Sequence, residues 1–141
     1  MSMLVPLRSQ QPLSALAEAF PALARPRATP LGTPLDLVHL ARQSLGDKGR
    51  EMELLGHFDH QAGLAAARLR DLAGDDRARA MVKMLGSTAR TAGAFGVAAA
   101  CDAYAATLAS GVSEREASTA LDILDEEILI ARTAIADLLG R

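Results

Sequence analysis

The chain has no tryptophan, one tyrosine and three phenylalanines. Sandwiches and barrels are built from aromatic and β-branched strands, so this scarcity argues against an all-β fold. There is one cysteine, Cys101, which excludes a disulfide framework and a Cys-rich zinc site. No apolar run approaches the ~20 residues that a membrane helix needs. The first residues carry no basic stretch ahead of an apolar one, so no secretory signal is expected and a cytoplasmic location is. An excess of basic residues is also missing. Lys+Arg is 15 against 17 Asp+Glu, a net charge of −2, without the signature of a nucleic-acid binder.

Proline is absent after residue 34, although the chain holds six. A long proline-free stretch permits long helices. What fills it is alanine, with few β-branched residues, which favours helix over strand. The sequence therefore divides into an N-terminal arm, residues 1–33, partly flexible, and an all-α domain, residues 34–141. The arm is expected to hold one short helix at about 14–23, with Leu13, Leu16 and Phe20 on one side. It carries Arg8, Arg25 and Arg27 against Glu18, too small an excess to indicate a membrane or nucleic acid. With 141 residues and half of them hydrophobic, the chain can bury roughly two-thirds of its unfolded surface as one core.

Helix punctuation is legible along the domain. Thr33 before Pro34 reads as a cap and a first helical residue, opening a helix that stops near Gly46. Asp47 caps the next, whose apolar face is Met52, Leu55, Ala62, Ala65, Leu69 and Leu72, with a stop at Gly74. Asp75 and Asp76 begin a third, which buries Val82, Leu85, Ala89 and Ala92. A break at Gly93–Gly96 leads to a fourth, with Val97, Ala100, Tyr104 and Leu108, ended by Gly111. Ser113 and Glu116 form a capping box, and the last helix repeats Leu121, Leu124, Ile128, Ala131, Ile135 and Leu138. Four long amphipathic segments joined by short loops predict an antiparallel four-helix bundle, preceded by a short helix and the Pro-rich arm.

Lys83, Ser87 and Arg90 stand at i, i+4 and i+7 of the third helix, on the face opposite its apolar one. Gly86, Thr88, Gly93 and Ala94 lie around them. Long polar side chains among small residues suit docking of another protein, so Lys83, Gly86, Ser87, Arg90, Gly93 and Ala94 are the candidate partner-binding residues. The run 83–95, which opens Lys83-Met84-Leu85-Gly86-Ser87, resembles the active-site helix of bacterial histidine phosphotransfer (HPt) domains. So does the run 37–47, which opens Leu37-Val38-His39-Leu40, as the start of such a domain, and the resemblance spans roughly residues 34–139. It implies a four-helix bundle that acts in a two-component phosphorelay, with a response-regulator receiver domain or a histidine kinase as partner and no cofactor of its own.

The family's motif places a phosphoacceptor histidine before a leucine, a lysine and a glycine, with another glycine ten positions on. Leu85, Ala89 and Gly93 fit it. Lys83 occupies the histidine position, Gly86 that of the lysine and Ser87 that of the glycine; a one-residue slide puts Val82 at the histidine instead. A lysine is an ammonium at neutral pH and cannot attack an aspartyl phosphate in line as a neutral imidazole does. The expected function is that of a pseudo-HPt, a binding module and not an enzyme. The receiver's acidic pocket, with its aspartate and Mg²⁺, would meet the Lys83 ammonium. The alternative is a structural bundle that pairs with itself, as a homodimer, or with another helix.

Glu53, His57 and His60 share a face at i, i+4 and i+7, the spacing of metal ligands, but one helix gives three at most, so surface polarity is the reading. His39 lies in a short apolar run and reads as packed. Cys101, after three alanines, reads as buried and inert. Asp125, Glu126 and Glu127 read as a solvated face.

Overall fold

Side-chain oxygens start four of the five helices found among the described residues. Asp36 accepts from the His39 N–H to open α1 (Leu37–Gln43), and Asp47 from the Arg50 N–H to open α2 (Lys48–Arg68). Asp75 accepts from Arg77 N–H before α3 (Asp76–Ala92), and Ser113 from Glu116 N–H before α5 (Glu114–Leu139). Each such cap satisfies an orphan donor and is worth about 1 kcal/mol. α4 (Phe95–Ser110) follows α3 so closely that Ala94 precedes it with no side-chain cap. The computed structural model describes residues 33–73 and 75–140. The expected arm, apart from Thr33, and the expected stop at Gly74 lie outside them.

The fold is an all-helical bundle, with no strand among the described residues. α3 packs on α2 and α4, α5 packs on α4 and α2, and the short α1 lies against α2 and α3. The interior between them is Phe58, Ala62 and Ala65 of α2, Val82, Leu85 and Ala89 of α3, Val97, Ala100 and Tyr104 of α4, and Leu124, Ile128 and Ile135 of α5, all 4% exposed or less. Full burial of one leucine-sized side chain stabilises the fold by about 1.5–3 kcal/mol, so this set dominates the capping contributions. No helix is long and apolar enough to cross a membrane, among the described residues.

Four expectations need correction. The first helix begins at Leu37, because the Asp36 carboxylate reaches the His39 N–H, whereas the Thr33 hydroxyl donates to the Leu35 carbonyl instead. Met52 is 54% exposed, because the buried stripe of α2 runs through Leu55 and Phe58, and Phe58 escaped the sequence reading. Leu138 is 49% exposed, while its neighbour Leu139 packs against the core. Gly96 lies inside α4, so the break between α3 and α4 shrinks to Gly93 and Ala94. α2 itself ends at Arg68. Beyond it, Ala73 donates to the carbonyl of Arg70 and Asp75 to that of Leu72, a tightened three-residue pattern that turns the chain toward α3.

The α3–α4 corner is stitched to the start of α1. Gly93 has φ +83°, the left-handed region, and its carbonyl accepts from the Asp36 N–H at 2.9 Å. A Cβ there would lie 2.7 Å from the Asp36 carbonyl oxygen, so only glycine fits.

Candidate functional site

Lys83, Ser87 and Arg90 are exposed on one side of α3, as their spacing requires, and Val82, Leu85, Ala89 and Ala92 are buried on the other. The polar stripe borders a groove of about 320 Å³ between α3 and α4. Small residues make the groove: Gly86, Ala105 and Ala109 leave room where larger side chains would fill the seam. Gly86 is buried, and a Cβ on it would stand 3.4 Å from the Cys101 Cβ and 3.5 Å from an Arg90 guanidinium nitrogen. Its place is the floor of the groove, and it lets the two helices approach.

Gly93 and Ala94 do not belong to the surface expected of them. Ala94 is 0% exposed, and Gly93 is covered by the backbone of Asp36. The backbone of Asp36, just ahead of α1, covers Gly93, and Ala94 belongs to the hydrophobic core. They shape the end of the groove's helices and offer a partner no contact.

Two charged residues of the groove were missed by sequence reasoning, besides the small Ala105 and Ala109. Arg79 lies one turn before Lys83, a signal the i, i+4 spacing carried, and Asp102 comes from α4. Arg90 donates through Nη2 to both carboxylate oxygens of Asp102, at 2.6 and 2.8 Å. Arg79 donates to the Leu108 carbonyl at 3.1 Å and approaches Asp76 at 3.8 Å. Lys83 makes no hydrogen bond or ion pair among the described residues. The groove thus holds three cations against one carboxylate, with Arg79 and Arg90 engaged and the Lys83 ammonium unspent. In so open a setting the Arg90–Asp102 pair contributes at most about 1 kcal/mol to stability; it fixes where the guanidinium lies.

Cys101 sits at 1% exposure beneath this groove. Burial, with a smaller effect from Asp102, pushes its thiol up to about 12. A thiol so far from thiolate, and so deeply buried, is a poor nucleophile at neutral pH. The histidines are dispersed. His57 and His60 are exposed on α2 with Glu53, and no group of three or more His, Cys, Asp or Glu could hold a metal ion among the described residues. His39 is half-buried, with its ring edge-on to Phe95 at 4.9 Å between centroids and its Nε2 buried without a hydrogen-bond partner among the described residues.

Comparison with known proteins finds no matching family model, no matching curated protein and no matching solved structure.

Proposed function

We propose that the chain is an HPt-like signalling module, an antiparallel four-helix bundle that binds a receiver domain or a histidine kinase without carrying phosphate itself. The observation that carries this reading is the state of Lys83. It projects from the middle of a long helix, at the position that the resemblance gives to the phosphoacceptor, and it alone of the three groove cations has no polar partner among the described residues. A receiver's phosphorylation pocket is a cluster of carboxylates around a metal ion. An ammonium inserted there pairs with the carboxylates and competes with the metal. Gly86 and the small residues of α4 keep the surroundings low, so the lysine can reach into a concave acidic site.

Retention of purified receiver domains on the immobilised full chain tests the reading. Lys83→Ala is expected to weaken binding about tenfold or more, the weight of a charge-assisted hydrogen bond. Unchanged affinity would discard the ammonium plug. Labelled phosphate passing from a phosphorylated receiver to the chain would discard the non-carrying role and direct attention to the exposed His57 and His60. Lys83→His should gain phosphate acceptance if the rest of the site is competent.

The second reading, a self-associating bundle, is favoured by the exposed Leu37, Val38 and Leu129. Its mark is a light-scattering mass that rises with concentration while no receiver is retained.

A further inference from the structure

Charge is distributed differently on the two sides of α3. Toward α2 runs a groove of about 600 Å³, walled by Leu64, Met81 and Met84, and its rim mixes Arg68 and Arg77 with Asp71. The Arg77 guanidinium there is already spent on Asp75. Toward α4, Arg79, Lys83 and Arg90 border one groove, and Asp102 is its one carboxylate among the described residues. At about 320 Å³ this groove stands at the small end of the ~300–1,000 Å³ that small-molecule sites occupy.

Two of its cations converge. Side chains on a helix lean toward its N-terminus. Arg90 leans so far that a Cβ on Gly86, four residues back, would stand 3.5 Å from its Nη1. The guanidinium therefore lies over the glycine floor, within one turn of Lys83. Asp102 takes up Nη2, and Nη1 makes no hydrogen bond among the described residues. The Lys83 ammonium is without a partner there as well. Arg79 stands one turn before Lys83, about 6 Å along the axis, and adds its charge while its Nη2 donates to the Leu108 carbonyl.

Asp102 shows what a carboxylate satisfies in this place. Its two oxygens meet one nitrogen of Arg90, and Lys83 is left over. A phosphate carries more oxygens on one centre. It can accept from a guanidinium and from an ammonium at once, the guanidinium giving directed bonds and the ammonium a point charge.

We propose that the α3–α4 groove binds a small phosphate-bearing anion, with the Lys83 ammonium and Arg90 Nη1 as donors above the Gly86 floor. The site shares Lys83 with the receiver reading and does not rest on it, because its ligand is a free anion.

Pyrophosphate added to the full chain at fixed ionic strength tests the site. The expected result is a saturable shift of the Lys83, Gly86 and Arg90 backbone amide signals, with pyrophosphate bound more tightly than inorganic phosphate. Lys83→Gln alters an exposed side chain that makes no hydrogen bond or ion pair among the described residues. It should weaken pyrophosphate about tenfold or more. Asp102→Asn removes the competing carboxylate and should strengthen binding several-fold. Arg68→Gln, at the rim of the α2–α3 groove, should leave it unchanged. Shifts that sodium chloride reproduces at equal ionic strength are screening alone and overturn the site. Shifts spread over Arg50, Arg68 and Arg77 overturn it too, as does unchanged affinity in Lys83→Gln. Citrate bound as tightly as pyrophosphate, with the same signals moved, assigns the groove to polycarboxylates and overturns the phosphate assignment.

Discussion

The two flanks of α3 are made of the same helix and differ in almost everything else. Toward α4 the seam is floored by glycine and alanine, polar at its lip, and crossed by the Arg90–Asp102 pair. Toward α2 it is walled by methionine and leucine, and its polar contact within the seam is the Thr88 hydroxyl donating to Gln61 Oε1 at 2.7 Å. Side-chain size is what separates them. Small residues let α3 and α4 close up and leave one long cation standing clear. Long flexible apolar residues keep α2 and α3 apart at the surface and leave a cleft that can re-pack around an incoming side chain.

The widest break in this comparison is at the corner both flanks share. Gly93→Ala forces a left-handed alanine and a clash with the Asp36 carbonyl, and should lower stability by about 2–3 kcal/mol in thermal or urea melts. Gly86→Val acts on the α4 flank alone. Its branches meet Cys101, and overpacking of this kind costs about 1–3 kcal/mol. The methyl signals of Met81 and Met84 should move little, and receiver retention should fall with the groove. A third break is chemical. The Cys101 thiol is raised when folded, so above about pH 9 the unfolded chain loses this proton first. Stability contributed by the neutral thiol is complete below pH 9 and declines as pH rises toward 12. Burial also raises the Tyr104 hydroxyl, in the same sense. Cys101→Ala should flatten part of that alkaline slope in urea titrations at stepped pH. The smallest effect belongs to Asp102→Asn. It releases Arg90 at a cost below about 1 kcal/mol, and receiver binding is the sharper readout, because a second cation is freed beside Lys83.

Much of the helical order was written in local chemistry. Asp47, Asp75 and Ser113 cap where their spacing says, and Gly93 and Gly111 end helices in the left-handed conformation. The stripe Lys83, Ser87, Arg90 follows from the helical period alone. What escaped depends on packing between segments. Asp102 became part of the groove only because α3 and α4 are neighbours. Gly93 left the surface because the Asp36 backbone lies against it, and Ala94 because it packs into the core. Met52 was misplaced because Leu55 and Phe58 outweigh it in bulk and turn the helix toward themselves.

The aromatic poverty of the chain gives it an unusual optical character. With no tryptophan anywhere, its one tyrosine, Tyr104, is 2% exposed in the middle of α4. Tyrosine fluorescence and the tyrosine band of the near-ultraviolet dichroism therefore come from a single buried ring, and they follow the packing of α4 alone. A tryptophan placed at Met84 would add a second, separable colour at the opposite flank of α3, so that one sample could show whether the two sides of that helix loosen together or in turn.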